Sequence, residues 1–162
     1  MLMRHVLCGM RLVGDVSHMT YIEMGQWPHM QAAAQAVRTA VFVQEQGIAP
    51  EDEWDALDAT ALHAVLFDVN GKPLGNARLL QPSASVAKVG RMAVLREARG
   101  KGYGARLLQT LLREARRRGH KEIRLSAQRT AEAFYAVHGF KVVGQPFDEV
   151  GIPHVEMRLS LV

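Results

Sequence analysis

Cysteine is almost missing from this chain: Cys8 is the single one in 162 residues. That excludes an internal disulfide and suits a reducing compartment, so a cytoplasmic setting is expected. Cys8 lies in a weakly patterned N-terminal segment, and no nucleophilic thiol is expected there. No apolar run approaches the ~20 residues that cross a bilayer, so no membrane partner is expected either. Internal repeats, low-complexity tracts and linkers are all lacking, which removes any sign of a domain boundary. The charge excess is small. A net +4 accompanies Arg113, Arg116, Arg117 and Arg118 at one helix end, where the C-terminal dipole favours cations. Without a helix-turn-helix or RNA-stacking signature beside them, no nucleic-acid partner is expected.

What is present is the composition of one globular domain, with 48% apolar and 22% charged residues, enough to bury a core. Residues 1–18 read as an N-terminal extension, non-native or disordered, with Met19 or Met24 as a natural start; residues 19–162 read as the domain. Thr20–Met24 is expected to be a strand. Pro28 suits the first turn of a helix that runs through Met30–Glu45 to Gly47. Ile48–Thr60, acidic around Trp54, is expected to loop for about a dozen residues. Leu62–Val69, Leu74–Leu80 and Val86–Val94 follow as strands, the first two joined at Asn70-Gly71, a dipeptide suited to a turn with two positive φ angles. After a glycine loop, Leu107, Leu108, Leu111, Leu112 and Ala115 share one helical face that ends at Gly119. Then come a strand at Glu122–Ala127, a helix at Thr130–His138, a strand at Phe140–Gly144, a loop at Pro146–Pro153 and an alternating strand through Val155, Met157, Leu159 and Leu161. The order β-α-β-β-β-α-β-α-β-β predicts an α+β fold: a mixed, mostly antiparallel sheet with a central parallel strand-helix-strand crossover and flanking helices.

The stretch Val89–Gly119 organises the rest. A strand empties through Arg99-Gly-Lys-Gly-Tyr-Gly104 onto a helix N-terminus, where unpartnered backbone N–H groups make an anion nest. A P-loop would need a Lys-Ser/Thr pair, which is missing. The dinucleotide fingerprint spaces its glycines differently and needs an acidic residue about twenty positions on. The remaining pattern, R/Q-x-x-G-x-G/A, is matched by Arg99, Gly102 and Gly104. Phe134-Tyr135-x-x-x-Gly139-Phe140 follows one strand and helix later.

Together these motifs resemble the GNAT superfamily of acyl-CoA-dependent N-acyltransferases, over roughly residues 20–162. Arg38-x-x-Val41-Phe42-Val43-x-Glu45-Gln46, Asp55-x-x-Asp58 and the following His63 look further like its ElaA-like branch of small bacterial proteins. The resemblance implies an acetyl-CoA-dependent N-acetyltransferase, with no metal. It implies that Arg99, Gly100, Lys101, Gly102, Tyr103, Gly104 and Ala105 cradle the coenzyme A pyrophosphate. Met92, Ala93 and Val94 would pair with the pantetheine arm like an added strand. Tyr135 would protonate the leaving thiolate. The strand Val86–Val94 carries no carboxylate, so the base or substrate contacts are sought among Glu45, Asp58 and His63, with Asp55 beside them. The acidic loop could instead attract a cationic amine, and Arg38 could pair with Glu45 inside the protein. The acceptor is expected to be a small-molecule amine or a protein amino group, and a homodimer is compatible with all of this. A second reading is a catalytically silent CoA-binding sensor or interaction module.

Overall fold

In a computed structural model, residues 19–162 are described; the extension expected at 1–18 lies outside them. Seven strands form one sheet in the order β1-β2-β3-β4-β5-β7-β6. The first four, β1 (Thr20–Gly25), β2 (Leu62–Asp68), β3 (Pro73–Leu80) and β4 (Val86–Val94), are antiparallel neighbours. Strand β4 then pairs in parallel with β5 (Glu122–Gln128), and the antiparallel pair β6 (Lys141–Glu149) and β7 (Ile152–Ser160) completes the sheet. This is the α+β order expected, parallel crossover included.

Helices cover both faces. Gly75 of β3 lies under helix α3 (Tyr103–Arg117), where a Cβ would come within 2.8 Å of Leu107. Three positions on, Arg78 points to the opposite face and reaches Asp55 and Asp58, beyond α1 (Trp27–Arg38). Leu107, Leu108 and Leu111 of α3 are fully buried, as their spacing predicts.

Four local details differ from the sequence reading. The first helix begins at Trp27 and changes after Arg38 into the wider turns of a π-helix over Thr39–Glu45, a form common near functional sites. The acidic segment is not an open loop, because it folds into a short helix α2 (Pro50–Glu53) and a 3-10 turn at Ala56–Ala59. The Asn70-Gly71 turn has only Gly71 at positive φ. The Asp68 carboxylate holds it by accepting from Asn70 N at 2.8 Å and Lys72 N at 2.9 Å. The turn with two positive φ angles occurs instead at Val150-Gly151, so Pro146–Pro153 is a continuous β6–β7 hairpin. Helix α4 (Glu132–Val137) follows a 3-10 turn at Arg129–Ala131.

Candidate active site

The parallel pairing of β4 with β5 covers only Val86–Lys88 against Glu122–Arg124. Beyond that the two strands part, and a cleft of about 320 Å³ opens between them. Val89, Gly90, Arg91 and Met92 of β4 line one side of it, Ser126 and Gln128 of β5 the other. A β-bulge drives the departure: Ala77 of β3 faces both Arg91 and Met92, and Arg91 adopts φ 52. Such a bulge bends its strand and re-aims side chains. Among the described residues, the two non-glycine residues at positive φ are Arg91 and Val150, and both line this cleft. Strained backbone of this kind collects where function needs a fixed geometry.

At the end of β4 the chain enters the glycine loop. Gly100 and Gly102 take φ 77 and 79, and a Cβ at either would project into open space. Gly102 caps α3, and the first intrahelical bond runs from Arg106 N to Gly102 O at 3.1 Å. The N–H groups of Tyr103, Gly104 and Ala105 precede that bond, and no acidic side chain occupies the first turn. The arrangement fits a diphosphate, which would take up the space that a Cβ would otherwise fill. Gly104 packs instead, with Phe134 3.5 Å from where its Cβ would be. Lys101 is exposed beside the loop. The Arg99 guanidinium points elsewhere: its Nε donates to Val94 O at 2.9 Å, and its Nη atoms donate to both Glu45 oxygens at 2.7 and 2.8 Å.

Tyr135 of α4 lines the cleft, 7% exposed, with its ring edge-on to Phe134 and Phe140. Burial pushes its phenol well above the ordinary range, so the hydroxyl stays protonated at neutral pH.

The base candidates are dispersed. Glu45 grips Arg99, whose hydrogen bonds, helped by Arg96, hold its carboxyl below the usual range. Asp58 is buried, and its Oδ1 accepts from Arg38 at 2.8 Å and Arg78 at 2.9 Å. His63 is wholly buried against Trp27, with Nε2 2.9 Å from Asp58 O; burial pushes its imidazole down. The expected Arg38–Glu45 pair does not form. Arg38 is enclosed between the Trp27 and Trp54 rings and donates to Glu53 and Asp58. Arg78 and Arg91 add Asp55 and Glu53 to the same network. Three carboxylates of the α1–β2 segment therefore neutralise three guanidiniums, and its apparent acidity is mostly spent internally. The network fixes that segment as the wall of the cleft that holds Asp52, Glu53 and Asp55.

The opposite wall carries no motif in the sequence. It is the β6–β7 hairpin, which contributes Glu149, Val150 and His154. His154 belongs to no motif, and the only available signal was its polar character in an otherwise apolar alternation along β7. Among the described residues, no group of three or more His, Cys, Asp or Glu is placed to hold a metal ion, and no helix is long and apolar enough to cross a membrane.

Known proteins share this architecture. The family model described as an acetyltransferase (GNAT) domain matches residues 30–161. The uncharacterized N-acetyltransferase YjcF of Bacillus subtilis is 35% identical over 122 residues, 75% of this chain and 86% of that protein. The crystal structure of Escherichia coli ElaA superposes with a TM-score of 0.77 at 27% identity, over 86% of this chain and 99% of that one. A GNAT family acetyltransferase from Elizabethkingia anophelis, solved with acetyl-CoA bound, shares the fold at 14% identity, with a TM-score of 0.62 over 88% of this chain and 98% of that one.

Proposed function

Because the chain belongs to the acetyltransferase (GNAT) family and is similar to ElaA within it, we propose that it moves an acetyl group from acetyl-CoA to a primary amine by direct attack in a ternary complex. The observation that carries this reading is the β4–β5 departure, with a cleft lined by both strands and by Tyr135, at the end of β4 that runs on to the open N-terminus of α3. Acetyl-CoA would supply an activated acyl carbon on a thiol leaving group. The amides of Tyr103, Gly104 and Ala105, with the loop Arg99–Gly102, would hold its diphosphate, each charge-assisted bond contributing about 1.5–3 kcal/mol. Met92, Ala93 and Val94 would offer strand edge to the pantetheine arm. Arg99 would act indirectly, since its bonds to Val94 O and Glu45 tie the loop to the strand end and to the π-helix. Tyr135 would donate its hydrogen bond to the thiolate. A phenol made so weakly acidic by burial would release its proton only as another arrives from the amine nitrogen. The acceptor would be a small-molecule amine or a protein amino group, and the setting the cytoplasm.

Thiol release from acetyl-CoA against a panel of primary amines tests this, with CoA binding followed by calorimetry. Turnover with at least one amine is expected. CoA binding without any turnover would move the chain to the sensor reading. Tyr135→Phe should lower kcat by about 10²–10⁴-fold while the Kd for CoA stays put; an equal loss in both would remove the acid role.

A further inference from the structure

An amine reaches such a site as an ammonium ion and must lose a proton before its nitrogen can attack. Two of the carboxylates that line the cleft are committed, since Glu53 and Asp55 face the Arg38, Arg78 and Arg91 guanidiniums, while Asp52 beside them is exposed; away from the lining, Asp58 is shared by two arginines and Glu45 holds Arg99. One imidazole is placed differently. His154 sits on β7 opposite Gln128 of β5, is 6% exposed and lines the cleft that also holds Tyr135. Its Nδ1 lies 2.7 Å from Ile152 O. A carbonyl oxygen only accepts, so Nδ1 must carry the hydrogen. In the neutral ring Nε2 then presents a bare lone pair. The ring plane is held by stacking on Phe147, with centroids 5.9 Å apart and planes 23° apart. Behind the lone pair stands Glu149, its Oε2 3.5 Å from Nε2. The turn that carries Glu149 to this position includes Val150 at φ 47, a conformation a β-branched residue rarely adopts.

We propose that His154 is the group that takes the proton from the acceptor ammonium, with Glu149 steadying the imidazolium that results. This rests on the acetyl-transfer reading. The ammonium N–H breaks toward Nε2, and the freed nitrogen pair forms the bond to the acyl carbon while the carbon–sulfur bond breaks. The second proton lost by the nitrogen goes to the thiolate, with Tyr135 as the relay; the one on His154 passes to solvent. Glu149 is half exposed and stands within ion-pair reach of Nε2, so its negative charge opposes that of the imidazolium formed in the step.

Two measurements test this. In the protein without ligand, ¹⁵N-edited spectra of the histidine rings, with the His154 signals identified by their loss in His154→Gln, should show a hydrogen on Nδ1; a ring protonated at Nε2 alone would overturn the proposal. In turnover, His154→Gln should cut kcat/KM by about 10²–10⁴-fold for an alkylamine found in the panel, and Glu149→Gln, at a surface position that should tolerate it, should cut it less. Neither loss should appear with hydroxylamine, which is already unprotonated at neutral pH. Equal losses with both acceptors would mean that the hairpin only shapes the cleft. An unchanged rate in His154→Gln would overturn the base and leave acetyl transfer standing, whereas CoA binding with no amine turned over would overturn both.

Discussion

Asp58 shows how much can depend on one oxygen. Its Oδ1 accepts from two guanidiniums at once, those of Arg38 and Arg78, in a region almost without solvent. Asp58→Asn would leave two buried cations short of an anion, a change that typically costs about 3–5 kcal/mol. Urea unfolding should show a loss of that size; a loss below about 1 kcal/mol, the range of exposed pairs, would mean that the network is better hydrated than its burial indicates. His63 adds a pH term. Burial depresses its imidazole from the ordinary 6.5, so between that value and the lower folded one the unfolded chain binds more protons. Its contribution is complete above about pH 6.5 and is lost as pH falls below it. Glu53, pushed up by burial, works the other way nearer its own range. From pH 6.5 to 5.5, His63→Gln should therefore lose stability less steeply than the parent, by up to about 1.4 kcal/mol per pH unit. Identical slopes would show that the folded protein protonates His63 freely. The spacing Arg38, Asp55, Asp58, His63 was legible in the sequence, but its pairing was not. Glu45 lies seven residues from Arg38 and looks like a helical neighbour, yet the π-helix and the enclosure of Arg38 by two tryptophans send the two side chains to different partners.

Elements were legible where one face is buried. Helix α3 shows its stripe, and β2 to β5 show apolar residues bounded by turns. Strand β6 extends to Glu149, past the expected end at Gly144; all nine of its residues are exposed, so it has no buried face to impose alternation, and Gly144 and Pro146 resemble loop. The turn partner misled in the same way: Val150-Gly151 holds the conformation that Asn70-Gly71 advertises, because the hairpin register and the Asp148 carboxylate, which accepts from Gly151 N at 2.9 Å, outweigh local preference. The glycine loop allows a sharper test of whether an element serves folding or ligand. Gly102 begins α3 and Gly119 follows it, with φ 79 and 82 and open space around both. Alanine at either should lose a similar ~1–2 kcal/mol through the left-handed conformation alone. CoA affinity should fall only in Gly102→Ala, where the new methyl group points into the proposed diphosphate space. Matched thermal melts with unmatched calorimetric Kd values would support the cradle; unchanged affinity in both would place the diphosphate elsewhere.

Taken whole, the sheet is two antiparallel blocks, β1–β4 and β5-β7-β6, joined by three parallel residue pairs and held apart beyond them. Two clasps bridge the opening from the π-helix. Gln46 exchanges amide hydrogen bonds with Gln128 of β5 at 2.8 and 3.3 Å, while Glu45 holds Arg99 beyond β4. Unpaired edges inside a sheet are unfavourable unless something fills them, and a ligand that lies along β4 as an added strand would bring the two blocks into one hydrogen-bonded surface. Binding to the folded state alone should then stabilise the protein by about 2.7 kcal/mol at a CoA concentration one hundred times its Kd. Hydrogen exchange locates that stabilisation better than a melting temperature does. On addition of CoA, amides of Val89–Val94 and of the first turn of α3 should slow most, those of β5 near Gln128 less, and those paired between β1 and β2 should change only with the global term. Uniform slowing across the sheet would mean that CoA clamps the fold without lying in the gap. Slowing confined to the α3 turn would mean that the diphosphate is held while the pantetheine arm runs outside the sheet, leaving Tyr135 and His154 without a thioester between them.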